Sequence, residues 1–183
     1  MENKIVDKVS RTFEIEIPIR ESLDQYLDTV IPQVRAWGED LNETKFYSQP
    51  GGKPWLEFRD SGNFHESVLH FFNENGEYLV SVNGNISRGR WRLLDNTNKI
   101  ILEMGNRSEL YTLSFLSSNF FMLEKHGKGN YLVMGYEGRL AGLEWRDYVE
   151  MLFNTYRTNE DSMRAWVILL IVIIAAIVLF SVF

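Results

Sequence analysis

The side chains in this sequence best suited to metal or acid–base chemistry are three histidines, His65, His70 and His126. His65 and His70 are five residues apart on or beside a predicted strand, so they point to opposite faces and cannot share a metal ion without a bulge. His126 lies in a Lys-His-Gly turn, a position that is usually solvated. The spacing therefore predicts no metal site, and we expect no cofactor.

The sequence contains none of the common catalytic or nucleotide-binding motifs, neither G-x-S-x-G, nor a P-loop, nor G-x-G-x-x-G. The tripeptide Gly-Gly-Lys at 51–53 lacks the earlier glycine and the preceding strand of a phosphate loop. Glu14 and Glu16, and likewise Glu57 and Arg59, share strand faces, where solvated or paired side chains are the simplest interpretation. We therefore expect no catalytic residues and a protein that is not an enzyme. An enzyme without a recognisable motif is the last alternative.

Three arginines form the most distinctive polar pattern: Arg88, Arg90 and Arg92. Strand alternation places all three on one face, opposite Trp91 and Leu93. A solvent-facing surface is the simplest interpretation. Contact with anionic lipid headgroups is a second hypothesis, and contact with an acidic ligand inside a barrel is a third.

Composition excludes several classes of function. The chain of 183 residues carries a formal charge of -6, which argues against nonspecific nucleic-acid binding because that requires a basic surface. The absence of cysteine excludes disulfides, thiolate metal sites, a cysteine nucleophile and a lipidated cysteine anchor, and is compatible with a reducing compartment.

The last nineteen residues, Ala165 to Phe183, contain no charged residue, no Gly and no Pro. As a helix they would span roughly 28 Å, which matches the hydrocarbon core of a bilayer. We predict a transmembrane helix within 163–183 and a lipid bilayer as partner. The predicted anchoring residues are Trp166 at the interface and Ile171, Ile174 and Phe180 along the span.

The orientation of this predicted single-pass anchor follows from its N-terminal flank. Arg157 and Arg164 favour a cytoplasmic location for the rest of the chain. No apolar run of signal-peptide length occurs near the N-terminus, so we expect no cleaved secretory signal.

The pattern of the first 54 residues predicts a strand followed by a helix. Phe13 to Ile19 alternates apolar and acidic residues, which predicts a half-buried strand. Ser22-x-x-Gln25 is a capping-box pattern that opens an amphipathic helix up to Trp37, with Pro32 expected to kink it or restart it. Turn-forming residues at 48–54 mark a boundary.

From Trp55 the hydrophobic period changes from helical to strand-like. Short polar turns separate eight candidate strands, a pattern typical of an antiparallel meander that closes into a barrel or half-barrel. The predicted strands are Trp55–Arg59, Ser67–Phe72, Glu77–Val82, Arg88–Leu94, Lys99–Met104, Glu109–Leu116, Phe120–Lys125 and Tyr131–Tyr136.

After the meander, helical periodicity returns with Trp145, Tyr148, Val149, Leu152 and Tyr156. The predicted fold is therefore mainly β, divided into 1–54 (strand and helix), 55–137 (meander), 138–162 (packing helix and polar break) and 163–183 (transmembrane helix).

Two patterns in the meander resemble small bacterial lipocalin-like β-barrel domains over roughly residues 55–137. They are Asn75-Gly-Glu-Tyr78 entering a strand, and Gly89-Arg-Trp91-Arg-Leu93 followed by Asn98-Lys-Ile-Ile-Leu102. The resemblance implies a barrel with space for a small apolar ligand and no catalytic residues.

The leading hypothesis is a membrane-anchored, non-enzymatic binding or protein-interaction domain held at the bilayer surface. The alternative is a lipocalin-like carrier of a small apolar ligand, which requires an incompletely filled barrel interior.

Overall fold

The computed structural model describes residues 21–60, 66–95, 97–156 and 169–171. Eight antiparallel strands follow one another in sequence order and close into a barrel. This confirms the predicted mainly-β meander and shows a closed barrel rather than a half-barrel. The strands are β1 (Trp55–Phe58), β2 (Val68–Phe72), β3 (Glu77–Val82), β4 (Asn85–Leu93), β5 (Lys99–Met104), β6 (Arg107–Leu116), β7 (Phe120–Lys125) and β8 (Tyr131–Tyr136).

The barrel closes where β1 pairs with β8, in a register that runs from Trp55 opposite Tyr136 to Phe58 opposite Val133. Each of the eight strands consequently has a hydrogen-bonded neighbour on both sides. The barrel therefore presents no free strand edge among the described residues.

The β3–β4 hairpin explains why β4 begins earlier than predicted. Val82 pairs with Asn85, which leaves Asn83 and Gly84 as a two-residue turn with φ angles of 50° and 86°. Asn-Gly favours positive φ at both positions, and this turn type matches the twist of the flanking strands.

Gly89, the glycine of the Gly-x-Trp pattern, lies where β4 and β5 approach closely. A Cβ atom at this position would lie 2.0 Å from the carbonyl oxygen of Glu103 and 2.4 Å from Sδ of Met104. Only glycine permits this approach without a backbone shift.

Helix α1 (Leu23–Val34) begins as the capping pattern predicts. Ser22 Oγ accepts the N–H of Gln25 at 3.3 Å, and Gln25 Oε1 accepts the N–H of Glu21 at 3.4 Å. The helix continues through Pro32, so no second helix starts there, and a 3-10 turn follows at Arg35–Trp37.

Two further helices follow the barrel within residues 137–156. Helix α2 is a single turn at Glu137–Leu140, and helix α3 spans residues 145–156. The predicted apolar stripe of α3 is confirmed, since Tyr148, Val149 and Leu152 are buried.

The apolar side chains form two cores, one on each side of the closed sheet. Outside, α1 and α3 pack against β1, β6, β7 and β8. Tyr148 is central to this outer core, because its ring lies 4.5 Å from Phe58 and 5.2 Å from Phe120 between centroids, and its hydroxyl donates to the carbonyl of Met134 at 2.8 Å. Inside, large side chains from every strand fill the barrel next to one of its ends.

Residues 38–54 close that end, which we call the plugged end; the opposite end is the far end. The N–H of Leu41 donates to Oδ1 of Asn98 at 3.1 Å, and the Trp55 indole donates to the carbonyl of Tyr47 at 3.1 Å. The Tyr47 ring lies 5.8 Å from Phe72 and 5.2 Å from Phe121. The segment before β1 thus belongs to the interior core of the barrel.

Lys53 is a buried cation within the plug, and its side chain is only 6% exposed. Its Nζ donates to the carbonyls of Phe46 at 2.7 Å and Ser118 at 2.6 Å. The same atom lies 4.4 Å from the centroid of the Trp55 ring. Burial lowers the pKa of Lys53 to about 8.

This burial predicts an unusual dependence of stability on pH. Between pH 10.5 and about 8, Lys53 binds its proton more readily in the unfolded chain than in the folded protein. The free energy of unfolding therefore decreases as pH falls through this range and increases as pH rises. We expect the free energy of unfolding to rise by on the order of 1 kcal/mol between about pH 7.5 and 9.5. Chemical denaturation across this range measures the rise.

Lys53→Met should abolish the rise, whereas Lys128→Met at an exposed loop position should retain it. A rise that persists in Lys53→Met would show that another group causes it.

Candidate functional site

A chain of polar side chains lies inside the barrel, beyond the aromatic residues and towards the far end. Tyr78 Oη lies 2.6 Å from Nδ1 of His70, and Nε2 of His70 lies 3.0 Å from Oε2 of Glu57. Nε of Arg59 donates to the other carboxylate oxygen, Oε1, at 2.5 Å. The buried residues Tyr78 and His70 occupy the inner part of the chain, while the Arg59 side chain is 46% exposed.

Strand alternation and register bring these residues together. Glu57 is two residues after the inward Trp55 on β1. His70 lies between Val68 and Phe72 on β2, which are both buried. Tyr78 on β3 is paired with Phe72 in the antiparallel register. The polar side chains therefore point into the barrel, as the large apolar side chains at alternate positions of the same strands do.

The charges assign the direction of each hydrogen bond. Burial raises the pKa of Glu57, but hydrogen bonds from His70 and Arg59 and the charge of Arg59 outweigh it, so the pKa of this carboxyl lies below its ordinary value. The ionised Glu57 accepts a hydrogen bond from Nε2 of His70. Nδ1 of His70 is then the acceptor for the Tyr78 hydroxyl.

A second polar group faces the first across the interior. The Tyr111 hydroxyl donates to Oε2 of Glu109 at 2.7 Å, and Nζ of Lys125 pairs with Oε1 of the same carboxylate. The hydrogen bonds from Lys125 and Tyr111 lower the pKa of Glu109. Burial raises the pKa of Tyr78, and the charges of Glu57 and Glu109 add to the effect.

The order of Tyr78, His70 and Glu57 is that of a hydroxyl, a base and an orienting carboxylate. A nucleophile requires a hydroxyl that loses its proton readily, whereas burial holds the pKa of Tyr78 above its ordinary value. The arrangement therefore keeps the Tyr78 hydroxyl protonated as a hydrogen-bond donor to His70. Within the described ranges, no group of three or more acidic or histidine side chains is placed to hold a metal ion.

The sequence pattern placed Glu57 and Arg59 on one strand face as solvated or paired side chains, and the structure pairs them, but the link to His70 and Tyr78 was missed. Strand alternation could have indicated this link, because each of these residues is two positions from a large apolar residue and therefore faces the same side of its strand. His126 is exposed, and His65 lies outside the described residues.

The three arginines lie on the outside of the barrel, as their alternation predicts. Arg88, Arg90 and Arg92 are all exposed, while Trp91 points inward and its indole donates to the carbonyl of Asn73 at 2.9 Å. Arg92 Nε lies 3.4 Å from Glu103 Oε1. An acidic ligand inside the barrel would not meet these side chains.

An apolar groove of about 470 Å³ lies beside the arginines on the outer surface of β2, β3 and β4. Phe71, Leu79 and Ile86 form its apolar floor, and residues 49–52 form one wall. Ile86 is 65% exposed. We call Phe71, Leu79, Ile86, Arg88, Arg90 and Arg92 together the basic face.

The predicted anchor falls mostly outside the described residues, which include neither Trp166 nor Ile174 nor Phe180. Ile171 is described, and it is helical and 59% exposed. In the portion of the chain that the structure describes, no helix has both the length and the apolar character needed to cross a membrane.

Comparison with known proteins adds no family. No family model matches the chain, and no curated protein or solved structure matches it. The barrel is consistent with a lipocalin-like fold, and this likeness rests on the eight-stranded closure alone.

The interior chain predicts a specific stability cost. Tyr78→Phe removes the donor to Nδ1 of His70 and leaves a buried acceptor unsatisfied, so we expect a loss of about 1–3 kcal/mol in the free energy of unfolding. Tyr131→Phe removes an exposed hydrogen bond to Asp28 and should cost about 0.5 kcal/mol or less.

Urea denaturation of both variants measures the contrast. Adding His70→Leu to Tyr78→Phe should cost less than the sum of the two single changes. Equal losses in Tyr78→Phe and Tyr131→Phe would contradict the assigned hydrogen bond.

Proposed function

We propose that this protein is a non-enzymatic binding domain held at the surface of a bilayer by residues 163–183, and that its binding surface is the basic face. The observation that carries the proposal is the division of the outer barrel surface. Helices α1 and α3 cover β1, β6, β7 and β8, whereas Ile86 and the three arginines on β4 remain exposed.

The filled interior supports binding on the outside rather than inside. Trp55, Tyr47, Phe72 and Phe121 are fully buried in mutual contact at the plugged end. Towards the far end, the polar groups around His70 and Glu109 are paired with one another. A filled interior of this kind favours binding on the outside over a lipocalin-like carrier, which requires an apolar cavity.

The exit point of the chain supports a contact with lipid headgroups. Tyr156, the last described residue of α3, packs against Phe115 with ring centroids 5.0 Å apart, next to the β6–β7 turn at the plugged end. The residues 157–164 can extend about 29 Å at most before the predicted span begins. Arg92 is close to the end of β4 at the same end of the barrel.

Charge sets the expected strength of this contact. Each basic residue near an anionic surface contributes about 1 kcal/mol, and Glu77 and Glu103, which are the ladder neighbours of Arg90, reduce the sum because anionic headgroups repel them. Because the whole chain is acidic, with a formal charge of -6, we expect an anionic surface to contact the basic face and not the rest of the domain.

The tether is tested by membrane fractionation. The full chain should remain in the membrane fraction after alkaline carbonate extraction, and the chain ending at Arg164 should be released into the soluble fraction. Release of the full chain by carbonate would contradict the tether.

The binding surface is tested with the chain ending at Arg164 and vesicles of phosphatidylcholine with or without about 30% phosphatidylglycerol. We expect binding to the anionic vesicles, weakened roughly tenfold or more by Arg88→Glu, Arg90→Glu and Arg92→Glu together. Vesicle flotation measures it.

The matched control reverses three exposed basic residues elsewhere, Arg107, Lys128 and Arg139, for the same change in net charge. Equal loss in both triple variants would assign the effect to net charge and remove the basic face from the proposal.

A further inference from the structure

The apolar groove on the basic face is formed by a turn that packs against the sheet. Residues 49–52 are its wall, where the N–H of Gly52 donates to the carbonyl of Gln49 at 2.9 Å. A Cβ atom on Gly52 would lie 3.0 Å from Cδ1 of Phe71, so the wall lies directly against the floor. The resulting volume of about 470 Å³ is within the range of about 300–1,000 Å³ that is typical of small-molecule sites.

The floor of the groove is apolar and open to solvent in the described part of the chain. Phe71, Leu79 and Ile86 come from three adjacent strands, so the floor is about 10 Å wide. Ile86 is 65% exposed, and α1 and α3 cover other strands. The predicted strand Phe13–Ile19 lies outside the described residues.

The volume of the groove sets the size of an apolar ligand. A methylene group occupies roughly the same volume as a water molecule in the liquid, about 30 Å³, so 470 Å³ corresponds to about fifteen methylenes. The groove therefore has room for one long acyl chain and not for the two chains of a bilayer phospholipid.

The charges beside the groove set the charge of that ligand. Arg90 has Glu77 and Glu103 as its ladder partners on β3 and β5. Nε of Arg92 lies 3.4 Å from Oε1 of the same Glu103. Arg88 makes no ion pair with any described residue. Three guanidinium groups and two carboxylates leave a local excess of one positive charge, which favours a ligand with a single negative charge.

The unpaired arginine lies at the edge of the apolar floor. Arg88 is directly opposite Leu79 in the antiparallel register and two residues from Ile86 on the same face. The Cβ atoms of opposite residues are about 5 Å apart, so the longer side chain of Arg88 can reach over the floor. A guanidinium group binds a carboxylate through two parallel hydrogen bonds. A carboxylate bound to Arg88 would therefore leave its acyl chain beside the groove.

We propose that the groove binds the acyl chain of one long-chain fatty acid and that the carboxylate of this ligand pairs with Arg88. The inference rests on the proposed function, because it uses the basic face as the binding surface, and it adds a ligand of defined size and charge. Binding neutralises Arg88 and covers Ile86, and so weakens the contact of the basic face with anionic headgroups.

A fatty acid with a photoactivatable diazirine on its chain tests the site in the full chain, reconstituted into nanodiscs of phosphatidylcholine. After irradiation, mass spectrometry of peptides should show severalfold more label on residues 49–52 and 71–86 than on α1. Unlabelled palmitate should compete with this label, whereas methyl palmitate, which has no charge, should compete about tenfold less well. Equal labelling of α1 and the groove would overturn the proposal, as would equal competition by the ester.

Four single variants assign the label to the floor and to the arginine. Ile86→Gln and Arg88→Gln should each reduce labelling of the groove severalfold. The matched controls are Met151→Gln on α3 and Arg107→Gln on β6, and both should leave the labelling unchanged. All four positions are exposed, so we expect each variant to fold, and urea denaturation checks this. An equal reduction in the controls would contradict the site.

The vesicle assay separates this inference from the proposed function. Binding to anionic vesicles with evenly distributed photolabel would retain the bilayer contact and remove the fatty-acid site. Selective labelling of the groove without binding to anionic vesicles would retain the fatty-acid site and remove the bilayer contact.

Discussion

The antiparallel pairing of β1 with β8 is the contact on which the rest of the structure depends. It completes every ladder, so the sheet has no edge and its two faces become separate environments. Because Trp55 and Glu57 share the inward phase of β1, closure encloses a carboxylate beside aromatic rings. A buried charge is tolerated only when it is paired and hydrogen-bonded, and His70 and Arg59 meet this requirement. The polar chain inside the barrel is thus a consequence of closure as much as a potential site.

Local features of this fold were predictable from the sequence, because each depends on residues close together in the chain. Alternation placed all eight strands, Ser22 and Gln25 marked the start of α1, and the phase of Arg88 to Arg92 gave the outer face correctly. These predictions rest on periods of two and 3.6 residues and on turn chemistry. None of them requires knowledge of which strands become neighbours.

What could not be predicted depends on contacts between distant residues. The link from Glu57 to His70 spans 13 positions and exists only in one register of β1 on β2. In the sequence Lys53 lies in a turn-forming stretch, where a solvated cation is expected. The plug instead buries it against Trp55 and the carbonyl of Ser118, which is 65 positions away. In both cases the polar residue is buried because the aromatic side chains next to it are buried by the hydrophobic effect.

The two helices give the barrel its asymmetry, and this asymmetry bears on function more than the interior does. A closed barrel has a continuous outer surface, and apolar residues on it must be covered or remain in water. Helices α1 and α3 cover the side that carries Phe58, Phe120 and Val133, while the side that carries Phe71, Leu79 and Ile86 has no helix among the described residues. Three arginines border that uncovered side. An apolar floor and a basic border are therefore combined on one surface, and a ligand for this protein should be sought there.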